Sequence, residues 1–339
     1  MRIPVLGILG WWLLAGAAHA QIPAALRELP APTRLTETHL VASPTFGGTV
    51  CGADSSIYFR RQARLGPPLA VPVTKLNADG TVTELDLGAL PDLGGQVAVL
   101  TFSVDKQSGI YAIVQEDRTP FPQYLVTYDA QGRYQSKALL EGRVVPGVLL
   151  RLPDGHFLIS GRAVRRKDES PSSVTGIFDG SGKETTSLKL GSDDSEVITS
   201  PQGVPWNPAV ENGAARSGDD GYSYLFKAGA HAKVQVLDAG GHSARIMEIS
   251  PPVANSEPFD FFVDGARLAI LFQQKLPDQE GRKPVQMILA LYSTKTGELL
   301  TSYVEKTPVW SACMKDGILT TLVPTSDKQH YAIGKITLP

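Results

Sequence analysis

Trp206, Asn207, Glu211, Asn212, Asp260 and Trp310 are the residues of this sequence whose types and placing suit contact with a ligand. Glu211, Asn212 and Asp260 offer hard oxygen donors, the kind that hold a weakly bound divalent cation. An indole beside Asn207 and Glu211 suits a carbohydrate or a peptide, through stacking and hydrogen bonding. Two or three donors fall short of a full coordination shell, so their plainer role is to keep a polar surface wet. Trp310 opens an apolar run and fits a packed core at least as well, which leaves Trp206 the better ligand candidate.

Other chemistry is sparse. The sequence holds no His-Glu-x-x-His, no Gly-x-Ser-x-Gly elbow, no phosphate-cradling glycine loop and no Cys-x-x-Cys. His39, His156, His231, His242 and His330 fall on different expected elements without ligand spacing. Metal sites cluster their donors, so these read as surface or strand residues. Asp193-Asp194 and Asp219-Asp220 read as solvated acids of loops and turns, and Arg162, Arg165, Arg166 and Lys167 as a solvated loop tip. No catalytic residue, cofactor or metal is expected from these signals.

The elements that must carry these residues begin after a targeting segment. Arg2, the apolar stretch Val5 to Leu14 and Ala18-His19-Ala20 have the form of a signal peptide cleaved before Gln21. The apolar stretch is too short to cross a bilayer, which takes about 20 residues. The expectation is a protein of the periplasm or beyond, without membrane insertion after cleavage. The 32 basic residues against 34 acidic ones argue against nucleic acid as a partner. With 33 Gly, 25 Pro and no sustained helical periodicity, the chain reads as all-β. Ala24 to Leu29 is a weak helical candidate. Residues 21–33 read as a leader, and 34–339 as one domain.

A repeat organises that domain. LNADGTVTELDL, YDAQGRYQSKALL, FDGSGKETTSLKL, LDAGGHSARIMEI and YSTKTGELLTSYV set a turn before a strand, closing on Gly80, Gly132, Gly182, Gly241 and Gly297. A second series of turns, at Ser56, Gly109, Gly155, Gly221, Gly265 and Gly317, precedes an apolar strand each time. Both series recur at a period of about fifty. In the second unit the strands are Ala98 to Val104, Ile110 to Glu116, Gln123 to Asp129 and Arg133 to Leu140. Asp in the Asp-x-x-Gly turn bonds its own backbone, and Gly takes the positive φ that returns the chain to the ladder.

Four-stranded sheets repeated six times predict a six-bladed β-propeller. The chain ends after the third strand of the sixth unit, so Arg34 to Ala42 is expected to supply the missing outer strand. Thr36, Thr38, Leu40 and Ala42 would share one face and Glu37 and His39 the other. Cys51 and Cys313 fall in the first and sixth inner strands, which are neighbours once the ring closes. In an oxidising compartment they are expected to bond, worth roughly 4 to 5 kcal/mol for so long a loop. Two buried free thiols are the alternative.

On these turns and this rhythm, Arg34 to Pro339 resembles the six-bladed propellers of the NHL, TolB-like and gluconolactonase-like group. The group includes enzymes, ligand binders and protein scaffolds, so the resemblance implies a fold and leaves function open. Its lactonases place Glu, Asn and Asp from several inner strands around a channel metal. Here FGGTVCGA, AVLTFSV and PGVLLRL, the first three inner strands, carry no carboxylate and no Asn. Short turns mark one face of the disc. Long connections, RRQARLGPPLAVP, RAVRRKDESPSS, QQKLPDQEGRKPV and GSDDSEVITSPQGVPWNPAV, mark the other, where function concentrates. The reading is a monomeric binding module for a protein, peptide or carbohydrate, with a metal-dependent lactonase-like hydrolase as the alternative.

Overall fold

Runs such as Ile110–Glu116, buried along nearly their whole length, need cover on both faces, and strands in that position pack between neighbouring sheets. The computed structural model describes residues 26–41, 49–60, 72–93, 97–142, 144–163, 173–187, 198–199, 205–206, 215–227, 232–277, 284–306, 310–327 and 329–339. Two strands come first, β1 (Arg27–Glu28) and β2 (Thr33–Val41). Blade 1 is β3 (Val50–Cys51), β4 (Ile57–Arg60), β5 (Val73–Leu76) and β6 (Val82–Leu85). Blade 2 is β7 (Val97–Val104), β8 (Ile110–Glu116), β9 (Gln123–Tyr128) and β10 (Tyr134–Leu139). Blade 3 is β11 (Val144–Arg151), β12 (Phe157–Ala163), β13 (Ser173–Phe178) and β14 (Glu184–Ser187). A small hairpin, β15 (Ile198–Thr199) with β16 (Pro205–Trp206), interrupts the crossing to blade 4.

Blade 4 is β17 (Ala215–Ser217), β18 (Ser223–Lys227), β19 (Ala232–Leu237) and β20 (Ser243–Ile249). Blade 5 is β21 (Ser256–Asp264), β22 (Arg267–Lys275), β23 (Val285–Ser293) and β24 (Leu299–Val304). Blade 6 has β25 (Trp310–Lys315), β26 (Ile318–Pro324) and β27 (His330–Thr337) from the end of the chain, and β2 pairs antiparallel with β27 as its outer strand. The inner strands β3, β7, β11, β17, β21 and β25 neighbour one another in that order, and β25 returns to β3. The fold is a six-bladed β-propeller closed by its N-terminal strand.

The alternation expected along β2 is present: Thr38 and Leu40 are buried, Glu37 and His39 exposed. Ala42 lies outside the described residues. Within the leader, the helical candidate gives way to extended chain at Arg27–Glu28, where β1 runs parallel to β24 and covers the edge of blade 5. Residues 24 and 25 and the targeting segment lie outside the described residues. No helix among the described residues is long and apolar enough to cross a membrane.

The core falls between blades. Leu40, Leu322 and Ile333 of blade 6 pack with Ile57, Phe59 and Leu76 of blade 1. Phe226 and Val234 of blade 4 pack with Phe261, Phe272 and Ile288 of blade 5. Each fully buried side chain of this size contributes about 1.5–3 kcal/mol. Cys51 and Cys313 form a disulfide across the seam, with 5.7 Å between their Cα atoms.

All five glycines that close the outer turns, Asp-x-x-Gly in blades 2, 3 and 4, have positive φ, from 74° to 89°. In blade 2, Asp129 Oδ1 accepts from Gln131 N at 2.9 Å and Arg133 N at 3.0 Å, while Gly132 N donates to Asp129 O at 2.9 Å. The second series needs a correction in its first two members. The left-handed residues are Ser55 (φ 63°) and Ser108 (φ 64°), one ahead of Ser56 and Gly109. Ser108 N donates to Asp105 O as Gly155 N does to Leu152 O, so the turn geometry repeats with Ser in place of Gly.

Candidate functional site

The inner strands enclose a channel of about 1020 Å³. Its wall is apolar at Leu100, Val148 and Phe262, and polar where the strands run into their turns. Asp105, just after β7, is the hub of the turn end. Its Oδ1 accepts from Gln107 N at 2.9 Å and Gly109 N at 2.8 Å, and its Oδ2 from Tyr111 Oη at 2.7 Å and Arg151 Nη1 at 2.9 Å. The Arg151 guanidinium lies over the Tyr111 ring, 5.2 Å from its centroid. Burial, and then the hydrogen bond to Asp105, push the Tyr111 phenol up to about 12.

Lys106 reaches past blade 3 to blade 4, donating to Gly218 O and pairing with Asp219 at 3.0 Å. Lys315, ending β25, donates to Ala53 O of blade 1 at 2.9 Å. The turn end of the channel is therefore crossed by side chains tied to other blades.

Further along, bulges shape the wall. The register of β7 shifts between Val99 and Thr101, and that of β21 between Pro258 and Asp260. A bulge turns backbone groups out of the ladder, and in β7 the freed carbonyls face a cation. Arg60, the last residue of β4, donates Nη2 to Leu100 O at 2.9 Å and Nη1 to Val99 O. Burial pushes the Arg60 guanidinium below its ordinary value. Beside the β21 bulge, Asp260 pairs with Arg216 of β17 at 3.1 Å and accepts from Phe261 N at 2.8 Å. Burial pushes the Asp260 carboxyl up, against the pull of Arg216. Each partner's side chain is 18% exposed.

Among the residues expected from sequence, Asp260 is thus committed to an ion pair in the wall. Asn207, Glu211 and Asn212 lie outside the described residues, as do His231, Asp193, Asp194, Arg165, Arg166 and Lys167. Trp206 lies in β16 and Trp310 opens β25 opposite Leu322, with their side chains outside the described residues. Arg162 belongs to β12, paired with Val145 and Ser173, and is not part of a loop tip. His156, His242 and His330 each stand near an aspartate of their own turn, at 2.9, 3.3 and 3.7 Å. Among the described residues no group of three or more His, Cys, Asp or Glu is placed to hold a metal ion.

The cations of the channel went unread in the sequence. Arg151 stands in PGVLLRL, an inner strand without carboxylate or Asn, and Arg60 reads as the first residue of the long loop RRQARLGPPLAVP. The available signal was a basic residue at the end of an inner strand, at Arg151 and Lys315, and just past one, at Lys106.

No family model and no curated protein matches the chain. Solved structures are similar at low identity. The WD40 domain of Neurospora crassa Pan2 is 8% identical, covering 92% of this chain and 100% of its own, with a TM-score of 0.47. A candidate TolB from Agrobacterium tumefaciens is 14% identical, covering 87% and 91%, at 0.45. An exo-β-1,3-galactanase from Phanerochaete chrysosporium is 10% identical, covering 84% and 72%, at 0.42.

Proposed function

We propose that this chain is an extracytoplasmic binding module that holds a small ligand in its central channel and admits it from the face of the long loops. The observation that carries this reading is the channel, about 1020 Å³, at the upper limit of the usual size of small-molecule sites, about 1,000 Å³. Lys106 and Asp219 cross its turn end, which favours access from the other. The signal-like start and the Cys51–Cys313 bond support an oxidising compartment. Trp206, Asn207, Glu211, Asn212 and Trp310 are the proposed contacts at the loop face, with Asp260 holding Arg216 in the wall.

The test is native mass spectrometry of protein recovered from the extracytoplasmic fraction of an expressing cell. A co-purifying small molecule should be lost from Ser217→Trp, which adds an indole to the channel lining beside Arg216, and weakened by Trp206→Ala. Retention by Ser217→Trp at the wild-type level would place binding elsewhere.

A further inference from the structure

Among the described residues, five cations line the channel, Arg60, Lys106, Arg151, Arg216 and Lys315, against two carboxylates, Asp105 and Asp219. Three of the five are matched: Arg151 by Asp105 at 2.9 Å, Lys106 by Asp219 at 3.0 Å, and Arg216 by Asp260 at 3.1 Å. Arg60 and Lys315 differ. Their partners among the described residues are backbone carbonyls, Val99 and Leu100 for the one and Ala53 for the other. A carbonyl satisfies an N–H donor but leaves the positive charge uncompensated; Lys315 is exposed, so water screens it, whereas Arg60 is partly buried, where such a charge is costly to hold.

The geometry of Arg60 says what would compensate it. Two bonds to the β7 bulge fix the plane of the guanidinium and use two of its five N–H donors. The remaining donors form part of a planar fork, and that fork matches a group with two oxygens sharing a negative charge. Burial already works against the charge on this guanidinium, and an anion against it would relieve that.

We infer that the channel binds an oxyanion, the carboxylate or phosphate group of a small ligand, with Arg60 as the principal contact and Lys315 adding to the attracting field. The inference rests on the channel being the binding site and names the chemistry of what it holds. Arg60 is held by the blade 2 carbonyls, so the anion would meet a preset contact and would not have to order one.

The experiment is isothermal titration calorimetry of the mature chain with inorganic phosphate, sulfate and malonate, at ionic strength matched by sodium chloride, beside a neutral sugar. Saturable binding of phosphate or of malonate is expected, and which of the two binds separates a phosphate from a carboxylate ligand. Arg60→Gln should weaken it by about tenfold or more, the scale of a lost charge-assisted contact. Arg60→Lys, keeping charge without the fork, should fall between, and Lys315→Gln should weaken it about twofold to threefold through the field alone. Arg133→Gln, an exposed cation of the turn between β9 and β10, should leave it unchanged. Should Arg60→Gln fail to give a native circular dichroism spectrum, Arg60→Lys and Lys315→Gln decide.

Heats that chloride reproduces, or affinities that neither Arg60 variant moves, would overturn the inference. A neutral molecule held in the channel and expelled by Ser217→Trp, with no oxyanion bound, would overturn it too while leaving the channel as the binding site. A failure of Ser217→Trp to expel any retained molecule would strike the binding reading itself.

Discussion

The two series of turns use the same backbone conformation in unlike surroundings. Gly80, Gly132, Gly182, Gly241 and Gly297, between third and fourth strands, have positive φ, and so do Gly155, Gly221 and Gly265, between first and second. A Cβ added at Gly80 would overlap the Glu37 carbonyl oxygen, and one at Gly182 the Leu139 carbonyl oxygen. At Gly132 it would press on Leu85, at Gly241 on Ile177 and at Gly297 on Met247. Every one of these neighbours belongs to the preceding blade. At Gly155, Gly221 and Gly265 it would meet nothing within 4 Å. The outer turns are joints between blades, whereas these inner turns face open space at the channel end. Gly80 touching β2 shows the joint repeated at the seam, so the N-terminal strand occupies the place of any other outer strand.

Three sets of substitutions sharpen this contrast. The largest effect is expected where the seam is closed on the inner side, by a covalent bond. Replacing Cys51 and Cys313 together with Ser should cost about 5 kcal/mol in guanidinium unfolding, given the 262-residue separation. A loss under about 1 kcal/mol would mean that the unfolded chain already keeps its two ends close without the bond. Next, Gly182→Ala or Gly80→Ala should cost about 2–4 kcal/mol, combining left-handed strain with displacement of a neighbouring backbone. Gly155→Ala and Gly221→Ala carry the strain alone and should cost about 1 kcal/mol. Equal losses at outer and inner glycines would remove the distinction between joint and free turn.

What could be read from the sequence follows the same division. The outer turns announce themselves because one residue type, Gly, answers both the dihedral and the close approach, as at Gly182. The inner turns are less legible: Ser55 and Ser108 adopt the left-handed conformation in place of Gly, so the marker slips by one residue. Ring closure was readable from Thr38 and Leu40, whose alternation is set by one buried face. The channel was not. Arg60, Lys106, Arg151, Arg216 and Lys315 come from five blades and line one channel, and no spacing in one unit records that convergence. β1 was hidden for a simpler reason, since a two-residue parallel strand has no pattern to show.

The smallest effect concerns the charge of the outer turns. Donors hold the carboxyls of Asp129, Asp179 and Asp238 below the usual aspartate range: first the backbone N–H of Arg133, the hydroxyl of Ser181 and the backbone N–H of His242, respectively. A depressed folded-state value means that the folded chain binds the proton less readily than the unfolded one. The stability this contributes is complete above the unfolded value near 3.9 and is lost as pH falls through the folded values. Blade 1 departs from the pattern, with Asn77 opening its turn and Gly80 N donating to Asn77 O at 2.9 Å. Asn therefore suits the position without a titrating group. The triple variant Asp129→Asn, Asp179→Asn, Asp238→Asn should keep its fold at pH 7, since an amide oxygen still accepts the turn N–H bonds. It should also lose less stability than the parent between pH 5 and pH 3, measured by thermal melts at matched ionic strength. Parallel pH curves for the two proteins would show that acid acts through carboxylates elsewhere, and that the outer turns hold neighbouring blades by shape without help from charge.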